Sequence, residues 1–147
     1  MKSIKTIAAE VRNQLELQDI ILLDAKSQQS FEAKGEVVQQ SRHSANSTCS
    51  GDQVQALVDI GVRLIDAKEQ IRCEISARFL LVYQCKQPLN TAQLDALTDN
   101  FVHNAWPFWR QHVYDLVQRG RMPRIDVPLF GGFRKQPVVK KDENIVK

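Results

Sequence analysis

Residues 54–83 read VQALVDIGVRLIDAKEQIRCEISARFLLVY, and the alternation of side chains in this stretch decides the fold. Two runs, 54–66 and 71–83, alternate apolar and polar residues, which is typical of half-buried strands. The join DAKEQ is short, so the two strands are expected to pair as an antiparallel hairpin. Near the end of the second run, Leu80 and Val82 make its other face apolar as well. Something other than the core must therefore cover these two side chains.

The residues before the hairpin predict one helix and two further strands. Residues 1–16 carry an apolar stripe at helical spacing, made of Ile4, Ile7, Ala8, Val11 and Leu15. Such a helix could lie on a membrane surface or dock on its own domain; its short length and mixed charge favour docking. Residues 18–27 and 31–42 have strand-like patterns, and the polar stretch 43–53, HSANSTCSGDQ, is predicted to be a turn-rich connector.

After Pro88 the pattern changes to that of helices. Asn90 and Gln93 have the spacing of a capping box. Pro107 is predicted to start or kink a second helix, and Gly120 to end it. The sequence therefore predicts an α+β protein, in which a four-stranded antiparallel sheet has C-terminal helices packed on one face and an N-terminal helix is added.

The predicted organisation is an N-terminal helix over residues 1–16, a main domain over 17–130, and a flexible basic tail over 131–147. The length of 147 residues fits a single domain, and a net charge of +3 does not by itself indicate nucleic acid. No apolar leader and no membrane span is evident, so a cytoplasmic protein is expected.

Candidate catalytic and metal sites are absent from the pattern. The three cysteines are odd in number and lack CxxC spacing, which argues against a disulfide framework or a zinc site, and Cys73 is predicted to be a buried small hydrophobe. The histidines His43, His103 and His112 are not spaced as ligands with any cysteine. No nucleophile, zinc-protease or phosphate-loop motif occurs. The chain is therefore predicted not to be an enzyme, and no cofactor is expected.

Residues 104–130, NAWPFWRQHVYDLVQRGRMPRIDVPLF, concentrate aromatic side chains in a chain that is 7% aromatic. This stretch resembles the end of the SecB family of bacterial export chaperones. The elements that carry the resemblance are Trp106-Pro107-Phe108, Arg110, Arg119-Gly120, Met122-Pro123-Arg124-Ile125 and, upstream, Cys73-Glu74-Ile75. The N-terminal helix and the basic net charge depart from the usual family pattern.

The resemblance implies an ATP-independent chaperone that holds unfolded preproteins for the Sec pathway, assembled as a homotetramer from two dimers, with the SecA motor as a partner. Some SecB-like proteins with an N-terminal helix serve an antitoxin instead, and that alternative stays open. A second alternative is a basic nucleic-acid-binding or assembly protein, although a solvated surface is favoured for the basic side chains involved. These are Arg119, Arg121, Arg124, Arg134, Lys135, Lys140 and Lys141.

A holding chaperone needs apolar area for a client without fixed shape, and aromatic side chains supply the most area per residue. The candidate peptide-binding residues are Leu80, Val82, Tyr83, Phe101, Trp106, Phe108 and Trp109. The alternative for each aromatic is a place in the core or in a subunit interface. Glu74 best matches the family's SecA contact, but Arg72 and Arg78 flank it on the same strand face, so weak docking is expected.

Overall fold

The computed structural model describes residues 3–30 and 35–130, and it confirms the predicted order of one helix, four strands and two helices. The elements are α1 (Ile4–Arg12), β1 (Leu15–Gln29), β2 (Val38–Ser50), β3 (Gln53–Ile65), β4 (Ile71–Cys85), α2 (Thr91–Ala96) and α3 (Thr98–Gly120). The four strands form one antiparallel sheet in the order β1-β4-β3-β2. The predicted α+β class is therefore confirmed. The predicted tail over 131–147 lies outside the described residues.

The predicted hairpin of β3 and β4 is closed by Asp66. Its Oδ1 accepts hydrogen bonds from the main-chain N–H groups of Lys68 at 2.9 Å and Gln70 at 2.8 Å. Its Oδ2 lies 3.0 Å from Nε of Arg72. The pKa of the Asp66 carboxyl is lowered mainly by the hydrogen bond from the N–H of Gln70. The N–H of Lys68 and the charge of Arg72 lower it further. The buried carboxylate thus fixes the turn that sets the register of the hairpin.

One face of the sheet packs against α2 and α3, and the other face carries no helix within residues 3–30 and 35–130; we call it the open face. On the helix face, β3 and β4 bury every second side chain, as their sequence pattern predicts. These side chains are Val54, Ala56, Val58, Ile60, Val62, Leu64, Cys73, Ile75, Ala77, Phe79, Leu81 and Tyr83. Burial of apolar area stabilises the folded state by roughly 25 cal/mol per Å². The hairpin, whose buried side chains form one side of the core, therefore contributes much of the stability.

The prediction of a turn-rich connector over residues 43–53 is wrong, because most of these residues belong to β2. This strand pairs with β3 without interruption from Val38 opposite Ile65 to Ser50 opposite Gln53. β2 is an edge strand with only one packed face, so it tolerates small polar residues that would be unfavourable in the middle of the sheet. Of the strand predicted over 31–42, residues 31–34 lie outside the described residues, and β2 begins at Val38; Gly35 has φ 92°, which a regular strand does not contain.

The break between the C-terminal helices lies at Leu97 and not at Pro107. The predicted capping box is confirmed: Asn90 and Gln93 exchange two hydrogen bonds of 2.9 Å at the start of α2. Pro107 lies inside the continuous α3, on its exposed side, where water can satisfy the carbonyl left without an N–H partner.

The end of α3 is also one residue later than predicted. Gly120 is still helical, and Arg121 takes the left-handed conformation with φ 49° and ψ 42°. The N–H groups of Arg121 and Met122 both bond to the carbonyl of Val117, at 3.0 Å for Met122. This is the hydrogen-bonding of a left-handed helix cap, in a position where glycine is the usual residue.

The N-terminal helix docks on the domain through Val11, which is 2% exposed and belongs to the same core cluster as the sheet. Ser3 caps the helix by accepting a bond from the N–H of Thr6 at 3.2 Å. The helix is shorter than its apolar stripe predicts, because Leu15 already begins β1. No helix within residues 3–30 and 35–130 is long and apolar enough to cross a membrane.

Candidate functional site

Four of the candidate peptide-binding residues lie in the core between the sheet and α3. Tyr83, Phe101, Trp106 and Trp109 are all buried, and Trp109 is 2% exposed. The rings of Tyr83 and Phe101 are 5.4 Å apart. The Nδ2 of Asn104 donates a 2.7 Å hydrogen bond to the hydroxyl of Tyr83, and burial raises the pKa of that hydroxyl to about 12. These four aromatics anchor the long helix on the sheet.

The chain after α3 is held as an extended segment, residues 122–130, mostly through its main chain. Nε1 of Trp106 donates to the carbonyl of Pro128 at 2.7 Å, and Nε of Arg110 donates to that of Val127 at 2.8 Å. From β2, the side-chain amide of Gln39 both donates to and accepts from the backbone of Asp126, at 2.7 and 3.2 Å. The protein therefore already binds one extended strand by side-chain contacts to main-chain groups.

Successive side chains of this tail segment alternate between solvent and the core as far as Val127. Ile125 and Val127 are buried in the core cluster, whereas Leu129 is 80% exposed. The exposed Arg124 and Asp126 flank the buried Ile125, which is the pattern of an extended chain with one packed face, and Leu129 departs from that face. Main-chain capture together with alternate apolar pockets is the recognition chemistry that suits an extended polypeptide.

An aromatic cluster at the end of the tail segment contains a half-buried histidine. The ring of His43 on β2 lies edge-on to the rings of Trp106, at 6.0 Å, and Phe130, at 5.3 Å. Burial lowers the pKa of His43, and the charge of Asp99 opposes that shift. The uncharged imidazole is therefore the form that this cluster accommodates best.

The lowered pKa of His43 predicts a loss of stability in mild acid. Because the folded chain holds this proton less tightly than the unfolded chain, the unfolded state binds more protons once the pH falls below the ordinary histidine value near 6.5. The midpoint of thermal unfolding should be lower at about pH 5.5 than at about pH 7.5, and His43→Gln should reduce that difference. His103→Gln, on an exposed part of α3, is the matched control. An unchanged pH dependence in His43→Gln would contradict the prediction.

Two aromatics of α3 point away from the core. Phe108 is 52% exposed and Tyr114 is 39% exposed. Tyr114 has a polar anchor, since its hydroxyl lies 3.3 Å from the carbonyl of Val127, and the guanidinium of Arg110 lies 5.4 Å from its ring. Among the predicted aromatic candidates, Phe108 is thus the one whose ring is free to meet another molecule.

Leu80 and Val82 lie together on the open face of the sheet, where their sequence pattern places them. Both are half-buried. In register with Leu80 are Leu57 on β3 and Ile21 on β1, so an apolar row crosses three strands. We call Ile21, Leu57, Leu80 and Val82 the open-face patch. The sequence does not reveal that Ile21 and Leu57 belong to this patch, although the apolar character of both faces of residues 18–27 is a signal for Ile21.

The outer strand β1 exposes more apolar surface than an ordinary edge strand. Its side chains Leu17, Ile21, Leu22 and Leu23 are between 39% and 50% exposed. Register shifts occur next to Leu17 and Leu22, and they place Gln18 and Leu23 as extra residues against β4. The other edge of β1 has no strand beside it within the described residues. Natural sheets usually protect such an edge with charges or prolines, so this surface is a candidate contact site.

The candidate SecA contact, Glu74, lies on the polar half of the same open face. It is half-buried and stands opposite Arg63 of β3. Together with Arg42 these residues border a hollow of about 260 Å³. The flanking Arg72 and Arg78 are paired with Asp66, at 3.0 Å, and Asp59, at 2.7 Å. The surroundings of Glu74 are therefore of mixed charge rather than acidic.

Residues 3–30 and 35–130 contain no group of three or more histidine, cysteine or acidic side chains that could hold a metal ion. Burial lowers the pKa of His112, as it does for His43, with a smaller effect of Arg119. Of the basic run considered for nucleic acid, Arg119, Arg121 and Arg124 are exposed, and Arg124 pairs with Asp126 at 3.1 Å. The other members of that run lie outside the described residues.

No protein-family model matches the sequence, and no curated protein matches it either. Among solved structures, the fold is similar to that of the Mycobacterium tuberculosis SecB-like chaperone Rv1957, determined in complex with a ChAD peptide from the Rv1956 HigA1 antitoxin. The TM-score is 0.75, and the similarity covers 87% of this chain and 98% of that one. The chain has a SecB-like fold. Sequence identity is 13%, so the likeness concerns the SecB-like fold and not the individual sites.

Proposed function

We propose that this SecB-like chain is an ATP-independent chaperone that holds unfolded polypeptides. The observation that carries the proposal is the apolar open-face patch, on the side of the sheet away from α2 and α3. Within it Ile21 is 39% exposed, and Leu57, Leu80 and Val82 are half-buried. An apolar patch on an exposed sheet face suits a protein that binds extended chains, whereas the exposed leucines at the edge of β1 suit a contact between subunits.

The physics of holding an unfolded client fits this kind of surface. A client without fixed shape is recognised through apolar area and main-chain groups, since its side chains vary. Each square ångström of apolar area buried contributes roughly 25 cal/mol, and the ordering of the client opposes binding. Several weak subsites in one assembly then supply the affinity together. The captured tail segment, with Gln39 and Arg110 bonded to its backbone, is an internal example of such recognition.

We assign direct client contact to Leu80 and Val82 in the open-face patch and to the exposed ring of Phe108. For the remaining candidates, contact with a client stays a prediction: Tyr83, Phe101, Trp106 and Trp109. In the described fold their apolar surface is already buried against the sheet and the tail segment. Their first role is therefore to support the surface on which a client would lie.

Leu80→Asp should weaken client binding and leave thermal unfolding nearly unchanged. Leu80 is only half-buried and faces away from the core, so a carboxylate there removes apolar contact area without opening a cavity. Binding of a reduced, unfolded client should weaken about tenfold, as expected when roughly 1.4 kcal/mol of contact is lost. Gln84→Asp, an exposed position on the same strand face, is the matched control. A large loss of stability in Leu80→Asp would identify Leu80 as part of the core.

Two classes of client remain for this chaperone, preproteins destined for the Sec pathway and a dedicated antitoxin. The peptide bound to Rv1957 comes from an antitoxin, which supports the dedicated client. A SecA partner would approach Glu74 with a basic tail, and Arg63 opposite Glu74 should oppose it. We therefore propose a dedicated client, with export as the alternative.

Calorimetry with the SecA C-terminal tail separates these classes. If the client is dedicated, binding of the SecA tail should give no detectable heat, or a weak heat that falls with added salt, because the charge around Glu74 is mixed. Submicromolar binding that is lost in Glu74→Lys would overturn it and make this a general export chaperone. Ser76→Lys, which adds one positive charge two residues away on the same face and keeps Glu74, controls for an added lysine at this surface.

A further inference from the structure

Two cysteine sulfurs meet at the end of the sheet, where β2 turns into β3. Sγ of Cys49 lies 4.0 Å from Sγ of Cys85, although the two residues are 36 positions apart in the chain. All three cysteines are free thiols. Cys73 is separate from this pair, and its sulfur contacts that of Met122 at 3.6 Å. Neither the SecB-like fold nor the proposed client surface requires this contact.

The two sulfurs differ in access and in surroundings. Cys49 is half-buried, so a small oxidant can reach it, whereas Cys85 is buried. The main-chain N–H of Leu89 donates to Sγ of Cys49 at 3.4 Å, and the carbonyl of Gly51 lies 3.5 Å from the same sulfur. Burial is the main cause that raises the pKa of the Cys85 thiol, which keeps that sulfur protonated and unreactive toward external reagents.

We propose that Cys49 and Cys85 form a reversible oxidation site, which a hydroperoxide converts into an intramolecular disulfide. The Cys49 thiolate attacks one oxygen of the hydroperoxide; an S–O bond forms, the O–O bond breaks, and the other oxygen leaves as an alcohol or water after taking a proton. Cys49 is then a sulfenic acid, oxidised by two electrons, and the hydroperoxide has been reduced by two.

Cys85 resolves that intermediate. Its sulfur attacks Sγ of Cys49, the S–S bond forms, and the S–O bond breaks, so that hydroxide leaves with the proton of Cys85 as water. The sulfurs, 4.0 Å apart before reaction, must approach by about 2 Å to reach disulfide length. Rotation of the half-exposed Cys49 side chain beside the turn at Gly51 supplies a movement of that size. A dithiol reductant reverses the product.

The bond would staple the end of edge strand β2 to the end of β4. These two strands are not neighbours in the sheet, because β3 lies between them. A main-chain hydrogen bond already joins Cys85 to the β2–β3 turn, from the N–H of Cys85 to the carbonyl of Asp52, at 2.7 Å. A disulfide closing the chain between residues 49 and 85 should raise the midpoint of thermal unfolding by about 5–10 °C.

The test treats the full chain with hydrogen peroxide and counts thiols after denaturation. Wild type should fall from three free thiols to one, lose about 2 Da in intact mass, and regain three thiols with dithiothreitol. Trypsin separates the cysteines into peptides 43–63, 73–78 and 79–86, and the first and third should be linked within one chain. Cys49→Ser should keep both remaining thiols, and Cys85→Ala should accumulate a sulfenic acid at Cys49 that dimedone traps.

Several results would overturn the proposal. They are three thiols retained by folded wild type, a link that involves Cys73, and a link between two chains seen as a dimer without reductant. Because Cys49 is half-exposed, Cys49→Ser should fold even if Cys85→Ala does not. Oxidation of either remaining thiol of Cys49→Ser, at Cys73 or Cys85, would equally refute the pairing. None of these readouts depends on client binding, so the proposal stands or falls apart from the proposed function.

Discussion

Trp109→Ala should lower the free energy of unfolding by about 3–5 kcal/mol, the usual cost of removing a large aromatic from a packed core. Trp109 is 2% exposed and lies between the sheet and α3. Its loss leaves a cavity that neighbouring β-strand side chains cannot fill, since strands relax less readily than loops. Chemical denaturation followed by fluorescence of the remaining Trp106 and by circular dichroism measures the change.

Phe108→Ala is the matched control for Trp109→Ala, because the two aromatics are adjacent on one helix. Phe108 is 52% exposed, so its truncation should change stability by no more than about 0.5 kcal/mol. The same variant should weaken client holding, whereas a loss of stability similar to that of Trp109→Ala would place Phe108 in a buried interface. Equal small effects in both variants would contradict the described packing of α3.

The second large effect concerns assembly. We expect a homotetramer, built from isologous contacts in which the uncovered edge of β1 takes part. Leu22→Asp should then weaken association about a thousandfold, because each contact contains Leu22 twice and each buried carboxylate costs about 2 kcal/mol. Light scattering at micromolar concentration should show a tetramer for wild type and a smaller species for the variant.

The control for Leu22→Asp is Ser27→Asp, which adds the same charge at an exposed position on the same face of β1. It should leave the tetramer intact if the apolar part of β1 forms the contact. A wild-type monomer under these conditions would count heavily against the proposed chaperone. An unchanged tetramer in Leu22→Asp would instead move the subunit contact away from β1.

The hairpin of β3 and β4 could be predicted from the sequence because the two faces of each strand have different surroundings. One face packs in the core, and the other faces away from it. Alternation of buried and polar residues then appears directly in the sequence, and the capping box of Asn90 and Gln93 is similarly local. Edge strand β2 could not be predicted in the same way, because its exposed residues Ser44, Asn46 and Thr48 have the composition of a loop. Its strand state comes from pairing with β3, a contact that no local pattern contains.

The predicted helix boundaries are wrong for a related reason. Proline and glycine are the strongest local signals for the ends of helices, so the sequence predicts helix boundaries at Pro107 and Gly120. The structure places Pro107 on the exposed side of a continuous helix and assigns the left-handed cap to Arg121. Packing of the buried aromatics on either side of Pro107 holds the helix together, which is a tertiary effect that overrides the local preference.

The site was predictable only in part. Leu80 and Val82 could be placed on the open face because apolar residues take two alternate positions of β4 that are otherwise polar. Partners across the sheet, such as Leu57 and Ile21, depend on strand order and register. The aromatics were concentrated in one helix, but composition does not separate Trp109, which is buried, from Phe108, which is exposed. Helical phase relative to the sheet decides between them, and that phase is set by the whole core.

Holding of unfolded polypeptide without nucleotide is tested most directly by the aggregation of a denatured client diluted into buffer free of ATP. Wild type should suppress light scattering by the client at a severalfold excess, Gln84→Asp should do the same, and Leu80→Asp should need a markedly higher concentration for equal suppression. A folded protein that is not aggregating should gain no protection. Aggregation curves that are unchanged by wild-type protein at that excess would contradict the proposed chaperone function.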